Sequence, residues 1–170
     1  MQFPDLKFNG IVRFFGGLVP HILTSSDYPD YDAMRADYMA HGRIRVNTEH
    51  STNTIFADPS VNWLFRAWHD MCHIMANGDF SPHGESLAMA EMIRQLRAHP
   101  GLDDSERDTF ESYIRAEVEG QGAWYRLTGE FPSNQKQFAA EYLEISGNYD
   151  FGKIDPYRIV ERLKSTHAVQ

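Results

Sequence analysis

The second half of the chain is divided into helix-length segments by residues that start or stop helices. Ser81-Pro82 supplies an N-cap followed by a first-turn proline, and Asn77-Gly78 ends the preceding segment. The alternation of apolar and polar residues that marks strands is almost absent after residue 60. The pattern therefore predicts an all-α fold. Its helices are expected over residues 60–76, 82–99, 104–127, 133–146 and 155–166.

The N-terminal third is expected to be irregular. Residues 9–24 are apolar enough for a helix, but a pair of glycines and Pro20 predict that this helix is broken. A short helix is predicted over residues 30–40. Residues 42–57 are expected to be looped or extended, because they are rich in Asn, Thr, Ser and β-branched side chains.

The composition supports a globular chain of one domain. The 170 residues are about the length of one domain, and 42% of them are apolar, which is enough for a core. Residues 1–170 are therefore predicted to form one helical domain of five to seven helices with an irregular N-terminal third. Cys72 is the single cysteine and excludes an internal disulfide, which favours a cytoplasmic protein.

The charge of the chain bears on its partners. With 16 Lys and Arg against 24 Asp and Glu, the formal net charge is −8, which disfavours a nucleic-acid polymer or an anionic membrane surface. The apolar stretch at residues 11–23 is interrupted by Arg13, Pro20 and His21, so we expect neither a membrane span nor a signal peptide. A small anionic ligand stays compatible with the acidic chain, because a local pocket or a bound metal can override the global charge.

Two histidines lie one turn apart on the predicted helix 60–76. At 100° per residue, His69 and His73 share a face opposite the apolar stripe of that helix. The i, i+4 spacing lets two imidazoles reach one metal ion, with Arg66 beside them and Asp70 on their flank. The alternative is a solvated helix face on which two histidines fall one turn apart by chance.

Two carboxylates interrupt the apolar stripes of the later helices. Glu85 lies at the start of the stripe of helix 82–99, and Glu117 lies within the stripe of helix 104–127, one turn from Gln121. Burying an unpaired charge is costly, so a buried carboxylate needs a metal, an ion pair or a shared proton. Alternatively, Glu85 leans into solvent at its helix start, and Glu117 forms an internal ion pair. The arginines considered for that pair are Arg13, Arg66 and Arg94.

These side chains form a candidate set of metal ligands. Five of the eight histidines fall between residues 41 and 83. Together with Glu85 and Glu117 they offer imidazole and carboxylate ligands, which suit a divalent transition metal such as zinc, manganese, cobalt or iron. Cys72 lies on an apolar stripe and is expected to be a core residue rather than a ligand.

The residues around the histidines resemble a known family. The adjacent pair His69-Asp70, preceded by the letters EHS at residues 49–51, is similar to motifs of the HD-domain phosphohydrolases, in particular of their nucleotidase branch. The resemblance implies an all-α enzyme in which His50, His69 and Asp70 hold a divalent metal that activates water on a phosphate ester. It also implies that Asp79 lies near the metal.

The leading hypothesis is a metal-dependent hydrolase, most specifically a phosphohydrolase that acts on a nucleotide or another small phosphate ester through a metal-activated water. His69 and His73 would hold the metal with one or two further ligands. The candidates for these are His50, Asp70, Glu85 and Glu117. Whichever of Glu85 and Glu117 is not a ligand is expected to accept the proton of the water, and Arg66 is expected to bind the anionic group of the substrate.

Two other functions stay open. A helical binding protein, of a phage type, would use the histidines and acids for a structural metal or for a polar seam at an oligomer interface. A non-haem iron oxidoreductase built on a helical bundle would use Glu-x-x-His pairs, which the predicted helices lack. A homo-oligomer is compatible with each of these functions.

Overall fold

A computed structural model of the chain describes residues 2–147 and 155–167. Helices form most of this part of the chain, and its sheet consists of two short strands, so the all-α prediction is confirmed. None of the helices within these residues is long and apolar enough to cross a membrane. In chain order the elements are α1 (Leu6–Gly17), β1 (His21–Thr24), α2 (Tyr31–His41), β2 (Ile44–Asn47), α3 (Pro59–Ala76), α4 (Pro82–Ala98), α5 (Asp104–Arg115), the π-helical turn Ala116–Gly120 (the π turn), α6 (Gln121–Thr128), α7 (Gln135–Ser146) and α8 (Pro156–His167).

The two helices that form the site begin at side chains that satisfy free backbone N–H groups. Asp58 caps α3, which therefore begins at Pro59, and the predicted cap Ser60 is instead inside the first turn. Asn77 ends α3 in the left-handed conformation, with φ of 52°. Ser81 caps α4 as predicted, because its side chain accepts a hydrogen bond from a backbone N–H of the first turn.

The N-terminal third departs from the prediction at residues 21–24. These residues were expected to end a broken helix, but they form β1, which pairs in parallel with β2 and has His21 opposite Ile44. Pro20 lacks the N–H group that would continue a helix. The β-branched side chains of Ile44 and Val46 are buried, as suits a strand that packs on the helices.

The predicted helix 104–127 is confirmed as a helical run, but the π turn interrupts it. A π turn widens the helix by one residue and shifts the side chains after it relative to the ordinary 3.6-residue period. Glu117 lies in this turn, and Gln121 is the first residue of α6.

Helix α3 lies at the centre of the fold, packed against α1, α4 and β2. The contact with α1 is close, because a Cβ on Gly16 would lie 2.3 Å from the carbonyl oxygen of Leu64. Trp68 and His73 are both buried although they face different sides of the helix, so α3 is covered on both. Met75, expected in the apolar stripe, is 56% exposed because it lies near the end of the helix.

Candidate metal centre

Helices α3 and α4 bring two histidines and one carboxylate together. His69 and His73 lie one turn apart on α3, and Glu85 lies in the first turn of α4. Glu85 Oε2 is 3.2 Å from His69 Nε2 and 3.5 Å from His73 Nε2. One donor atom from each residue lies within 4.8 Å of the other two. At this spacing the three atoms can contact one metal ion after a small adjustment. We call these three residues the ligand group.

The connection between α3 and α4 orients His73. Nδ1 of His73 lies 2.8 Å from the carbonyl oxygen of Gly78, and because a carbonyl oxygen only accepts, Nδ1 carries the proton of this hydrogen bond. In the neutral imidazole, Nε2 then has a free lone pair on the side of Glu85. Metal-binding histidines commonly have their second nitrogen fixed by a backbone carbonyl in this way.

Gly84 lets the same connection approach α4 closely. A Cβ on Gly84 would lie 1.9 Å from the carbonyl oxygen of Asp79, so any side chain there would displace this segment. Phe80 packs edge-on against the His73 ring, with the ring centroids 5.3 Å apart. The connection therefore fixes the positions of both His73 and the residue after Gly84, which is Glu85.

The two Nε2 atoms of the ligand group are buried, and neither has a hydrogen-bond partner of acceptable geometry in the described part of the chain, although Glu85 is near both. Asp70 lies on the other side of His69, with Oδ1 3.7 Å from Nδ1. Burial lowers the pKa of His69, but the carboxylates of Asp70 and Glu85 more than offset this effect and raise the pKa to about 10. Burial acts to raise the pKa of Glu85, but His69 and His73 hold it well below its usual range.

In the metal-free protein, a proton neutralises the negative charge of the ligand group. A proton on His69 compensates the carboxylate of Glu85. A divalent cation would take the place of that proton, since metal binding requires deprotonated ligands. Two imidazole nitrogens and one carboxylate oxygen form the ligand set of many catalytic zinc sites and also of non-haem iron sites.

The ligand group lies at a pocket of about 500 Å³. His69 and Glu85 line this pocket, and Arg66 and Glu117 line it as well. The three residues predicted to be catalytic (Glu117, Glu85 and Arg66) therefore meet in one cavity, while His73 is buried behind them. Other residues that line the pocket are His50, Asp70, Gln121, Tyr125 and Phe131.

Arg66 supplies positive charge to the pocket. Its Nη1 donates to the carbonyl oxygen of Asn47 over 2.7 Å, and its Nη2 lies 3.4 Å from the carbonyl oxygen of His50. Burial lowers the pKa of Arg66. Within the described residues its guanidinium forms no ion pair at 4.0 Å or less. A cation of this kind is suited to bind an anionic group of a ligand.

Glu117, predicted as a ligand and as a base, lies outside the ligand group. Its Oε1 is buried without a hydrogen-bond partner among the described residues. Burial raises the pKa of Glu117 to about 8, against the opposing effects of the Gln121 amide and the Arg66 charge. Three arginines were expected as alternative ion-pair partners of Glu117, namely Arg13, Arg66 and Arg94. None of them lies within 4.0 Å of the Glu117 carboxylate.

The residues that the family resemblance adds lie around the ligand group. His50 has an exposed side chain and a left-handed backbone, with φ of 53°, and it lines the pocket. Asp70 contacts Nδ1 of His69 instead of joining the three donor atoms. Asp79 accepts a hydrogen bond from the backbone N–H of Ser81, over 3.0 Å.

Several pocket residues have no signal in the sequence. Tyr28 and Arg45 come from the N-terminal third, and the guanidinium carbon of Arg45 lies 4.3 Å from the centre of the Tyr28 ring. Phe131 comes from the connection between α6 and α7. Their positions depend on how distant segments pack, which no local pattern records. Gln121 did have a signal, because the sequence places it one turn from Glu117 on the same helical face, but it was not among the predicted site residues.

Comparisons with known proteins give no match, since no protein-family model, no curated protein and no solved structure matches the chain. The resemblance to HD-domain phosphohydrolases stays a prediction from the sequence.

Proposed function

We propose that the protein is a metal-dependent hydrolase that holds one divalent transition metal with His69, His73 and Glu85. The proposal rests on one observation. Two buried imidazole nitrogens that lack hydrogen-bond partners in the described chain converge with a carboxylate oxygen within 4.8 Å, at a pocket of about 500 Å³. Buried polar atoms without partners are costly, and a metal ion would satisfy all three atoms at once.

The number of ligands favours a catalytic metal site over a closed structural one. Three protein ligands leave one position of a tetrahedral metal open, and the pocket gives water and substrate access to His69 and Glu85. When bound, such a metal lowers the pKa of a coordinated water to about 7. Asp70 would position His69 through its Nδ1, as carboxylates commonly do for metal-binding histidines.

The charges of the pocket favour a small anionic substrate. Arg66 lines the pocket, and its guanidinium has no carboxylate partner in the described chain. A phosphate ester is the substrate class that the family resemblance implies, and a nucleotide is its most specific form. The net charge of −8 is in keeping with a small ligand rather than a nucleic-acid polymer.

Glu117 fits the role of a hydrogen-bond donor better than the role of a base expected from the sequence. With a pKa of about 8 it retains its proton at pH 7. A protonated carboxyl group can donate a hydrogen bond to an oxygen of the bound substrate. Glu85 is committed to the ligand group, so it is not free to act as the base either.

A non-haem iron oxidoreductase is the second candidate. The specific observation that favours it is the ligand set, because two histidines and one carboxylate also form the facial triad of iron oxygenases. Hydrolysis and oxygen chemistry would use the same three residues. The metal that the protein binds therefore separates the two functions.

The test is elemental analysis of protein purified without a histidine tag or added metal, followed by assays of hydrolysis on nucleotides and other phosphate esters. We expect near-stoichiometric zinc, manganese or cobalt and metal-dependent release of phosphate. The His69→Ala variant should lose the metal and keep its circular dichroism. His83→Ala is the matched control, because His83 is exposed on α4 close to Glu85 but is not in the ligand group.

Three outcomes would count against the proposal. A protein that takes up no metal even after soaking has no such centre. Equal metal content in wild type and His69→Ala would place any metal elsewhere. Bound iron with oxygen uptake, and without phosphate release, would favour the oxidoreductase.

A further inference from the structure

The wall of the pocket formed by the π turn and α6 carries two polar groups without partners. Gln121 is 6% exposed, and its amide is near enough to Glu117 to lower the pKa of that carboxyl group. Neither Nε2 of Gln121 nor Oε1 of Glu117, however, has a hydrogen-bond partner of acceptable geometry in the described part of the chain. Both residues line the pocket and lie one turn apart. Since buried polar atoms are nearly always satisfied, this pair is suited to a ligand that both donates and accepts hydrogen bonds.

The π turn also packs closely against a neighbouring helix. Gly120 lies against α7, where a Cβ would be 3.0 Å from the ring of Tyr142. Tyr142 is itself buried in the main core. The π turn is therefore packed closely on α7 at Gly120, while Glu117 and Gln121 line the pocket. Such turns are frequent at functional sites.

Two aromatic rings continue the same wall. Tyr125 lies one turn after Gln121, and its ring stacks on Phe131 with the centroids 4.8 Å apart and the planes inclined by 27°. Tyr125 is 47% exposed and Phe131 is 50% exposed, and both line the pocket. Exposed aromatic faces beside hydrogen-bonding groups bind planar ring systems, which stack on them.

We infer that Glu117, Gln121, Tyr125 and Phe131 form a subsite for an uncharged planar ring that carries an amide-type edge, with a hydrogen-bond donor and an acceptor side by side. The carboxyl and amide groups would pair with that edge, and the ring would lie against the aromatic side chains. The raised pKa of Glu117 keeps its carboxyl group neutral at pH 7, so that it can both donate and accept.

This inference deepens the proposed function, and it rests on that function for the identity of the rest of the substrate. An ester whose anionic group contacts Arg66 and the metal would place its ring in this subsite. Binding of the isolated ring does not require the metal. The subsite can therefore be tested on protein from which metal has been removed by a chelator.

The probes are benzamide, acetophenone and benzoate, titrated into metal-free full-length protein and followed by ligand-detected nuclear magnetic resonance and calorimetry. Acetophenone lacks the N–H donors of benzamide, and benzoate is charged and only accepts. We expect benzamide to bind at least about tenfold more tightly than either, because sites built for hydrogen bonds reject analogues that lack them.

Two variants and one control complete the experiment. Gln121→Leu, which keeps the volume but removes the amide, should weaken benzamide binding about tenfold or more. Tyr125→Leu should weaken benzamide binding about tenfold through lost stacking. Because Tyr125 is 47% exposed, this variant should still fold. Gln137→Leu is the control. It replaces glutamine with leucine at an exposed position of α7 outside the pocket and should leave benzamide binding unchanged.

The outcomes separate the subsite from the metal centre. Benzamide binding that is lost in both variants supports the subsite, even where the protein takes up no metal and the proposed function fails. Equal binding of the three probes, no binding of benzamide, or benzamide binding that Gln121→Leu and Tyr125→Leu leave unchanged would overturn the subsite. Those results would leave a metal centre established by elemental analysis intact.

Discussion

Two glutamates line the same pocket in opposite electrostatic surroundings. Glu85 lies against His69 and His73, which hold its pKa well below the usual range despite burial. Glu117 lies on the π turn without an ion-pair partner at 4.0 Å or less among the described residues, and burial raises its pKa to about 8. At pH 7 one carboxyl group is therefore charged and the other is neutral.

The difference shows that a buried carboxyl group is accommodated in two ways, either by neighbouring positive charge or by retaining its proton. Glu85 is suited to bind a cation, because its charge is already formed and its neighbours are two histidines that could bind the same ion. Glu117 is suited to donate a hydrogen bond to a ligand. The residue type alone predicts neither role, since both follow from the groups that face each side chain.

The largest expected effect is on metal affinity. Glu85→Gln should weaken metal binding more than the 10–100-fold that is typical for loss of a residue behind a ligand, because it removes a charged ligand atom. Glu117→Gln is the same chemical change in the same pocket. It should leave metal affinity within about threefold of wild type, well below that range. Competition with a chromogenic chelator measures both constants. A larger loss in Glu117→Gln than in Glu85→Gln would reverse the comparison and make Glu117 the ligand.

The sequence predicted the helices of the site well, because caps and breakers act locally. Ser81 starts α4 and Asn77 ends α3, and both effects depend only on neighbouring residues. The bounds of α3 and α4 therefore follow the prediction closely. The sequence did not predict the β1–β2 pair, because that pairing joins segments separated by a helix. The π turn was not predicted either, since a single glycine such as Gly120 is tolerated inside a helix and does not by itself indicate a π turn.

The candidate site was likewise predictable where local signals were enough and not where distant segments had to pack together. The i, i+4 spacing on one helix was enough to select His69 and His73, and the apolar stripe of the next helix selected Glu85. Which carboxylate meets the histidines depends on how α4 packs on α3, and this arrangement includes the close approach of Gly84 to Asp79. No periodicity contains that information, so the sequence left four alternatives for the further ligands, namely His50, Asp70, Glu85 and Glu117.

The second prediction concerns the pH dependence of stability in metal-free protein. The carboxyl group of Glu117 has a pKa of about 8 in the folded protein against 4.5 in the unfolded chain, so the folded state binds this proton more tightly. Its contribution to the free energy of unfolding is complete below pH 4.5 and is lost as the pH rises through 8. The loss has a slope of at most about 1.4 kcal/mol per pH unit.

Urea unfolding at intervals from pH 5 to pH 8 measures this slope in wild type and in Glu117→Gln. The variant should lose less stability than wild type over this range, because its amide does not titrate. Glu130→Gln, at an exposed position, is the control and should follow wild type. Parallel curves for wild type and Glu117→Gln would mean that Glu117 is charged in the folded protein, like Glu85.

A smaller effect is expected from the carboxylate behind His69. Asp70→Asn should weaken metal binding about 10–100-fold, because the Asp70 carboxylate lies 3.7 Å from Nδ1 of His69 and increases the basicity of that ring. Asp104→Asn is the control, since Asp104 has a side chain that is 96% exposed on a different helix. A loss in Asp70→Asn as large as in Glu85→Gln would indicate that Asp70 binds the metal directly, as the HD-domain resemblance implies.

The smallest effect on metal binding is expected at His50, although the same resemblance makes it a ligand. His50 lines the pocket, but its imidazole is not in the ligand group, and its backbone has φ of 53°. His50→Asn removes the imidazole and retains a residue that tolerates the left-handed conformation, so the backbone carbonyl that contacts Arg66 should stay in place. We expect metal affinity within about threefold of wild type, well below the change that loss of a supporting residue causes. A loss comparable with that of Glu85→Gln would mean that the pocket closes around the metal on binding, with His50 carried onto it, and would restore the ligand set of the HD-domain enzymes.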